Sequence, residues 1–224
     1  PNSNTSPIPI NPLEQEDIVT DKKTNEYRFR GVTMPKASHP AIRRIKRSEA
    51  VPSIHGDKLW KSSFLLIDYL DSHRPEYCES VVDVGCGWGI SGIWCAKTLG
   101  SQVTSIDADN DVFPYLNAIA HLNDVKVLTL TSRFEKLSKR QLSEFDVLIA
   151  ADICFWDELV NPVFNMINRA VDAGVKHIFI ADPERSSFFA MAERCMQKHC
   201  AELIEWNTSI PVSARGAILV IENA

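Results

Sequence analysis

Val81-Val-Asp-Val-Gly-Cys-Gly-Trp-Gly-Ile90 is the stretch that decides the fold of this 224-residue chain. It begins with a β-branched run that ends in an acid, and three glycines follow at alternate positions. A buried parallel strand has such a continuous apolar pattern, and glycines let the backbone after it turn tightly and approach a ligand. A helix-like segment then begins, and the N–H groups at its N-terminus would face the same ligand. The stretch therefore predicts a strand, a ligand-binding turn and a helix.

A second strand-like run, Gln102-Val-Thr-Ser-Ile-Asp107, also ends in an acid. It lies about 20 residues after the glycines, where an acid holds the ribose hydroxyls of a bound nucleotide. The glycines are spaced as Gly85-x-Gly87-x-Gly89, unlike the G-x-G-x-x-G of dinucleotide sites. Asp83 precedes them and the turn has no lysine or arginine, which disfavours a pyrophosphate and suits an α-ammonium group. We therefore expect S-adenosylmethionine as the cofactor, and the spacing disfavours a dehydrogenase.

The overall composition indicates an ordinary globular protein, with 45% hydrophobic and 24% charged residues. No apolar run reaches the roughly 18 residues of a membrane span, and the N-terminus lacks a signal pattern. The six cysteines show neither a C-x-x-C pair nor metal-ligand spacing. We expect a cytoplasmic protein with reduced thiols, no metal site and no membrane association. The net charge of −5 argues against a general nucleic-acid binder.

Positive charge is concentrated near the N-terminus. Residues 1–58 carry 10 Lys and Arg against 7 Asp and Glu, which leaves 14 against 22 for the rest of the chain. The basic part centres on Arg43-Arg44-Ile45-Lys46-Arg47. This segment is either the solvated face of a helix or loop, or a docking strip for an acidic macromolecule.

The pattern divides the chain into three parts. Residues 1–25 are rich in Pro, Asn, Ser and Thr, and we expect a flexible leader there. Residues 26–57 form an N-terminal extension, in which Tyr27-Arg-Phe-Arg30 alternates like a short strand and Pro35, Pro40 and Pro52 interrupt the chain after it. Residues 58–224 form the main domain. It begins with a helix over residues 60–69, whose apolar spacing suggests that it covers one sheet edge.

Strands and helices alternate from residue 80 onward. Strand-like runs lie at 80–84, 102–106, 125–130, 145–150 and 176–181, and helix-like runs lie at 90–99, 111–122, 157–172 and 186–199. This alternation predicts a parallel sheet wound on both faces. The runs 201–210 and 217–221 have no helix between them and should pair antiparallel. The predicted fold class is α/β, a doubly wound, mostly parallel seven-stranded sheet with a terminal antiparallel hairpin, which is the plan of class I methyltransferases.

Three further segments resemble the seven-strand lysine methyltransferases. The helix ahead of their glycine loop is similar to Lys58-Leu-Trp-Lys-Ser-Ser-Phe-Leu-Leu-Ile-Asp-Tyr-Leu70. Their strand four, with its (D/E)-x-x-(Y/F) motif, is similar to Phe145-Asp-Val-Leu-Ile-Ala-Ala-Asp-Ile-Cys-Phe155. Asp182-Pro-Glu-Arg185 resembles the D-P-G-R of the branch that modifies the electron-transfer flavoprotein β-subunit. The resemblance covers residues 58–222. It implies a protein-lysine N-methyltransferase that acts on a protein partner.

Candidate site residues come from this resemblance and from the residues themselves. The resemblance implies a cofactor lining of Trp60, Gly85, Cys86, Gly87, Asp107, Phe134 and Ala151, with Asp152 and Phe155 at the acceptor. Their positions in the predicted fold add Asp83, Gly89, Ala108 and Arg133 to the cofactor side and Trp156 to the acceptor side. Asp83 would orient amides of the glycine loop, hold the ammonium group through water, or be a turn acid only. Phe134 would stack on an adenine ring or belong to the core.

Methyl transfer from a sulfonium depends mainly on positioning and electrostatics. A lysine amine, with a pKa of about 10.4, must lose its proton before it attacks. We expect Asp152 to bind and aim the lysine, with the proton leaving to water or through Asp152. Phe155 and Trp156 would flank the cation, although Trp156 would equally suit helix-cap packing. Asp109 is expected to cap the helix that follows it.

The sequence departs from the family pattern on the acceptor side and leaves the substrate open. Phe155 replaces the usual Tyr, Trp156 stands where relatives often have an acid, and Glu184 replaces the glycine of D-P-G-R. The absence of (N/D)-P-P-(Y/F) after strand four makes methylation of nucleic-acid bases a minor alternative. A small amine or another side chain as the acceptor, and a non-catalytic module that binds partners, also remain. Asp182 and Arg185 either form a structural pair or contact the substrate. The oligomeric state is open.

Overall fold

The computed structural model of the chain describes residues 20–21, 25–48, 52 and 58–223. The N-terminal part contains three short strands, β1 (Thr20–Asp21), β2 (Glu26–Phe29) and β3 (Val32–Pro35), which pair antiparallel, and a helix α1 (Pro40–Arg47). The leader predicted for residues 1–25 lies outside the described residues except for 20–21 and 25. Among the described residues, no helix combines the length and apolarity that crossing a bilayer requires.

The main domain begins with helix α2 (Lys61–Ser72). Its strands are β4 (Ser80–Val84), β5 (Gln102–Asp107), β6 (Leu128–Thr131), β7 (Val147–Ala151), β8 (His177–Asp182), β9 (Ala201–Thr208) and β10 (Ala214–Glu222). Its further helices are α3 (Ile90–Trp94), α4 (Phe113–Leu122), α5 (Lys139–Leu142), α6 (Val160–Asp172) and α7 (Ser186–Lys198). A π-helical segment, Cys95–Leu99, extends α3, and short 3-10 turns precede α4 and α6.

The seven strands form one sheet in the order β6-β5-β4-β7-β8-β10-β9. The first five are parallel, whereas β10 runs antiparallel to both β8 and β9. This arrangement confirms the predicted fold class, including the terminal hairpin. The sequence reversal between β4 and β7 creates the topological switch point at which open α/β sheets bind their ligands.

Apolar residues alternate between the two faces of the sheet because successive side chains of a strand point in opposite directions. Val81, Val147 and Ile149 belong to the core cluster that contains residues of α2, α3 and α4. Val82 and Leu148 belong to a second cluster with residues of α6 and α7. The central strands are therefore covered on both sides, which explains their continuous apolar sequences.

The N-terminal extension packs into the first of these clusters. Phe29, Val32, Met34 and Ile42 are fully buried there together with residues of α2 and α4. The Asn123 side chain at the end of α4 makes two hydrogen bonds with the backbone of Thr33, accepting from its N–H over 2.7 Å and donating to its carbonyl over 2.8 Å. The described part of the extension is thus bonded to the main domain.

Two details of the N-terminal half differ from the sequence prediction. Pro40 does not break the chain but begins α1, because proline has no N–H to lose at the first helical position and its fixed φ suits the helix. Helix α2 lies over a face formed by β7, β8, β10 and β9 rather than covering only an edge. Arg43, Arg44, Lys46 and Arg47 are exposed on α1, and the docking of an acidic macromolecule to this helix stays a prediction.

Candidate active site

A cavity of about 520 Å³ opens at the carboxyl ends of β4, β5 and β7. Its volume lies within the range of small-molecule sites. The structure brings all of the sequence-predicted site residues to its walls, namely Trp60, Asp83, Gly85, Cys86, Gly87, Gly89, Asp107, Ala108, Arg133, Phe134, Ala151, Asp152, Phe155 and Trp156. The role of each of these residues stays a prediction.

The glycine loop after β4 has a conformation that favours glycine at each of its three positions. Gly85, Gly87 and Gly89 have φ angles of 65°, 51° and 71°. A side chain at Gly85 or Gly89 would collide with neighbouring apolar side chains, whereas no atom lies within 4 Å of the place where a Cβ of Gly87 would sit. The loop is therefore tightly packed at both ends and open at Gly87, where a ligand can approach the backbone.

Asp83 lies at the end of β4 and is 3% exposed. Its carboxylate accepts a hydrogen bond from the backbone N–H of Gly92 over 3.1 Å, an N–H in the first turn of α3. Gly89 stands at the N-cap and has no side chain to fill this role. Burial is the main reason that the pKa of Asp83 is raised to about 7; the Gly92 hydrogen bond opposes the rise, and the nearby Asp107 adds to it. Asp83 thus orients an amide of α3 just beyond the loop.

Asp107 lies at the end of β5 and joins two loops. One carboxylate oxygen accepts from the Gly87 N–H over 2.9 Å, and the other accepts from the Asp109 N–H over 3.0 Å. Burial raises the pKa of Asp107, while these backbone hydrogen bonds oppose the rise. Because an ionised carboxylate has about four acceptor positions, Asp107 retains capacity for ligand hydroxyls. Asp109 caps the following 3-10 turn by accepting from the Asp111 N–H over 3.0 Å, as predicted.

The wall after β6 is formed by a 3-10 turn, Phe134–Lys136. The Phe134 ring packs against the second core cluster and also lines the cavity, and its stacking on an adenine ring stays a prediction. Its carbonyl accepts a hydrogen bond from Arg169 over 2.9 Å, which fixes the turn to α6. Arg133 is mostly exposed and pairs with Glu135 over 2.8 Å.

Asp152 follows β7 and has a left-handed backbone conformation with φ 60°. Such a conformation in a non-glycine residue costs energy and is typical of functional sites. The Asp152 N–H donates to the Ala181 carbonyl over 3.0 Å, which anchors it to β8. Its side chain is 8% exposed, and Nη2 of Arg185 lies 2.7 Å from one carboxylate oxygen. This contact is an ion pair, and neither buried oxygen accepts an aligned hydrogen bond from the described residues.

Arg185 connects Asp152 to a second buried acid, Asp182. Nη1 of Arg185 lies 2.9 Å from one Asp182 oxygen, and the backbone N–H of Arg185 donates to the other over 2.8 Å. The predicted pair of Asp182 and Arg185 is therefore present. Burial raises the pKa of Asp182 to about 6, although both contacts with Arg185 lower it. The additional pairing of Arg185 with Asp152 was not predicted.

Two aromatic rings lie beside Asp152 at the cavity wall. Phe155 and Trp156 are in edge-to-face contact with their centroids 4.8 Å apart, and Trp156 is 57% exposed. Trp156 precedes a 3-10 turn but makes no side-chain capping bond to it. Its ring lies in the cavity lining and is more than half exposed.

Lys58 and Trp88 also line the cavity, although sequence reasoning did not name them as site residues. Nζ of Lys58 lies 4.3 Å from the centroid of the Trp60 ring, and the buried Trp88 ring stacks on Tyr115 at 4.7 Å. Arg185, for which the sequence predicted either a structural pair with Asp182 or a substrate contact, lines the cavity as well. Trp88 lies within the glycine motif itself, so its position was a usable signal, whereas nothing in the sequence indicates that Lys58 reaches the cavity.

The described residues fit S-adenosylmethionine. A nucleoside needs an acid at the end of β5, and Asp107 has acceptor capacity there. An amino-acid moiety needs open backbone beside the glycine loop, which Gly87 provides. A methyl acceptor needs a polar group across the cavity, and the Asp152 oxygens meet this requirement.

Comparisons with known proteins agree with this geometry. A family model described as lysine methyltransferase matches residues 43–195. Methyltransferase-like protein 22 of Mus musculus is 26% identical, and the match covers 70% of this chain and 44% of that protein. The chain thus spans less than half the length of this relative.

Solved structures share the fold at low sequence identity. Magnesium protoporphyrin IX methyltransferase of Synechocystis, solved with bound S-adenosylmethionine, has a TM-score of 0.56 and 15% identity over 82% of this chain and 90% of its own. Human methyltransferase 10 domain containing protein has a TM-score of 0.53 and 12% identity over 77% and 86% of the two chains. Likeness at this level shows the fold alone.

Proposed function

We propose that this chain, which belongs to the lysine methyltransferase family, is a protein-lysine N-methyltransferase that uses S-adenosylmethionine. One observation carries the proposal. A single cavity joins a glycine loop bonded to Asp107 with a buried carboxylate, Asp152, whose oxygens accept no aligned hydrogen bond from the described residues. The first feature suits a nucleoside methyl donor, and the second suits a cationic acceptor.

On the donor side, S-adenosylmethionine supplies a methyl group activated by a sulfonium centre. Asp107 would accept hydrogen bonds from the ribose hydroxyls while it holds the glycine loop through Gly87. Phe134 would cover the adenine, since its ring lies in the cavity wall after β6. Asp83 lies at the amino-acid end, where an α-ammonium group bound directly or through water would favour its ionised form. These contacts position the donor, and positioning provides much of the rate in such displacements.

On the acceptor side, Asp152 would receive the lysine and aim its nitrogen at the donor. A buried carboxylate without aligned hydrogen bonds gains by accepting one from an ammonium or amine group. Phe155 and Trp156 would flank the side chain, and each cation–π contact contributes about 0.5–2 kcal/mol. The proton leaves to water or through Asp152 before attack.

The acceptor class follows from the shape of the rim. Trp156 is more than half exposed, so it offers an aromatic surface to a large partner instead of closing the pocket around a metabolite. We accordingly propose a protein partner and not a nucleic acid. We place the enzyme in the cytoplasm, because all six cysteines are free thiols and such usage suits a reducing compartment.

Methyl transfer to proteins in a lysate tests the proposal. The purified chain would be incubated with isotopically labelled S-adenosylmethionine and a lysate of its own organism, and label would be located by mass spectrometry. We expect label on lysine side chains of one or a few proteins, and none with the Asp152→Asn variant. Label on a small amine would instead support the alternative acceptor. Donor binding without any label would support the non-catalytic module.

A further inference from the structure

We propose that Arg185 is a positioning residue that offsets the charge of Asp152 and thereby eases proton loss from the acceptor amine. The inference rests on the proposed function, since it concerns how the same acceptor site handles a cation. It assigns Arg185 an electrostatic role that acts through Asp152, and it assigns Asp182 the role of holding Arg185 in place.

The geometry provides a fixed guanidinium at the acceptor carboxylate. Arg185 places one nitrogen 2.7 Å from Asp152 and another 2.9 Å from Asp182. The backbone N–H of Arg185 also bonds to Asp182 over 2.8 Å, and Asp182 itself is 1% exposed. Since the side chain is held at two atoms and its backbone at a third, it cannot leave Asp152 without breaking contacts with a buried acid.

An isolated Asp152 carboxylate would stabilise the bound lysine as an ammonium ion, which cannot attack the methyl group. An opposite charge within about 4–6 Å favours the charged state of a titrating group, so such a carboxylate would raise the pKa of the bound ammonium. Only the neutral amine attacks, and its fraction near neutral pH falls tenfold for each unit by which that pKa rises. The positive charge of Arg185 next to Asp152 reduces this effect, while the Asp152 oxygens remain able to accept a hydrogen bond.

Other charges surround this contact and define the controls. The titratable or charged groups near it are Asp152, Cys154 and Asp157 after β7, Asp182 at the end of β8, Glu184 after β8, Arg215 on β10, and Lys58 in the cavity lining. Arg215 is 72% exposed, lies 3.6 Å from Glu184 and does not line the cavity. Arg215→Gln is therefore a matched loss of one positive charge close to the site but away from Asp152.

The protonation of a bound amine can be measured without turnover. Nα-acetyl-lysine methylamide, enriched with ¹³C at the ε-carbon, would be titrated onto the full chain together with S-adenosylhomocysteine, and its ε-carbon shift followed by NMR from pH 6 to 10. We expect the pKa of the bound probe to be about one unit higher in Arg185→Gln than in the unmodified protein. Arg215→Gln should leave it unchanged. Arg185→Lys, which keeps the charge but loses the planar fork, should give an intermediate value.

Asp182→Glu is the second variant, because it keeps the negative charge and displaces only the oxygens that hold Arg185. We expect a smaller rise of the pKa of the bound probe in the same direction. Equal pKa values in the unmodified protein, Arg185→Gln and Asp182→Glu would overturn the inference, as would failure of the probe to bind. Neither result would contradict the proposed function, because that function is tested separately by the transfer of label to a protein lysine.

Discussion

The backbone N–H of Gly87 donates a hydrogen bond to the Asp107 carboxylate over 2.9 Å. This bond joins the glycine loop after β4 to the end of β5, the two places where a nucleoside and an amino-acid group would be held. Two further bonds, from the N–H groups of Gly85 and Cys86 to the Ile106 carbonyl, reinforce the same junction. The protein's own hydrogen bonds therefore hold the proposed donor site together, and such preorganisation lowers the ordering cost of binding.

Asp107→Ala should weaken binding of S-adenosylhomocysteine by roughly 100-fold or more, because hydrogen bonds to a charged group contribute about 1.5–3 kcal/mol each. Isothermal titration calorimetry measures the change. Asp111→Asn is a matched control, since Asp111 lies on the following turn and does not line the cavity. An affinity for the Asp107 variant equal to that of the control would remove Asp107 from the donor site.

Asp152→Asn should retain donor affinity within about a factor of two and lose nearly all methyl transfer, because Asp152 lies on the acceptor side. Donor affinity and label incorporation would be measured on the same preparation. Asp157→Asn, a change of an exposed acid in the same loop, should preserve both. Methyl transfer by Asp152→Asn at the unmodified rate would exclude the acceptor role.

Gly87→Ala and Gly89→Ala should have opposite effects on binding and stability. At Gly87 a methyl group meets no neighbouring atom within 4 Å, so the left-handed backbone costs only about 1–2 kcal/mol, but the methyl group intrudes where a ligand approaches. At Gly89 it collides with the buried Leu116 side chain, which raises the cost to about 2–5 kcal/mol. Urea unfolding and donor titration of both variants separate the two effects. A Gly87→Ala protein with full donor affinity would contradict the assignment.

The Asp83→Asn variant should have a larger free energy of unfolding than the unmodified protein at pH 8, and this difference should shrink as the pH falls. Burial raises the folded-state pKa of Asp83 to about 7 from its ordinary value of 3.8, so the folded protein binds an extra proton between these values. The stability that this proton provides is complete below pH 3.8 and is lost as the pH rises to 7, by at most about 1.4 kcal/mol per unit.

An asparagine oxygen at this position still accepts from Gly92 but never ionises. The difference in unfolding free energy between Asp83→Asn and the unmodified protein should therefore grow from pH 4 to pH 7 and then level off. Urea titrations at several pH values measure it. A difference that does not vary with pH would show that Asp83 keeps an ordinary pKa.

The strands of the main sheet could be predicted because the sequence pattern that indicates each strand is local. Residues 80–84 and 176–181 coincide within one residue with β4 and β8, since a β-branched run between glycine, proline or acidic residues has few other solutions. Strand β6 begins at Leu128, three residues later than predicted. Its apolar predecessors Val125 and Val127 instead pack against the core from the loop, and apolar pattern alone does not distinguish these cases.

Contacts between loops were less predictable. The pairing of Arg185 with Asp152 depends on the left-handed turn at Asp152, which sequence spacing does not encode. The hairpin between β2 and β3 was also missed. Its turn residues Arg30 and Gly31 have φ angles of 46° and 80°, and positive φ at both positions favours Asn-Gly over the Arg-Gly found here.

The most direct test of the proposed donor site is a crystal structure of the chain with S-adenosylhomocysteine. We predict the ligand in the cavity between β4 and β7, with its ribose hydroxyls on Asp107, its amino-acid end beside Gly87 and its sulfur directed toward Asp152. A ligand bound elsewhere, or a cavity that stays closed by protein side chains at saturating ligand, would contradict the central claim that these strand ends hold a methyl donor.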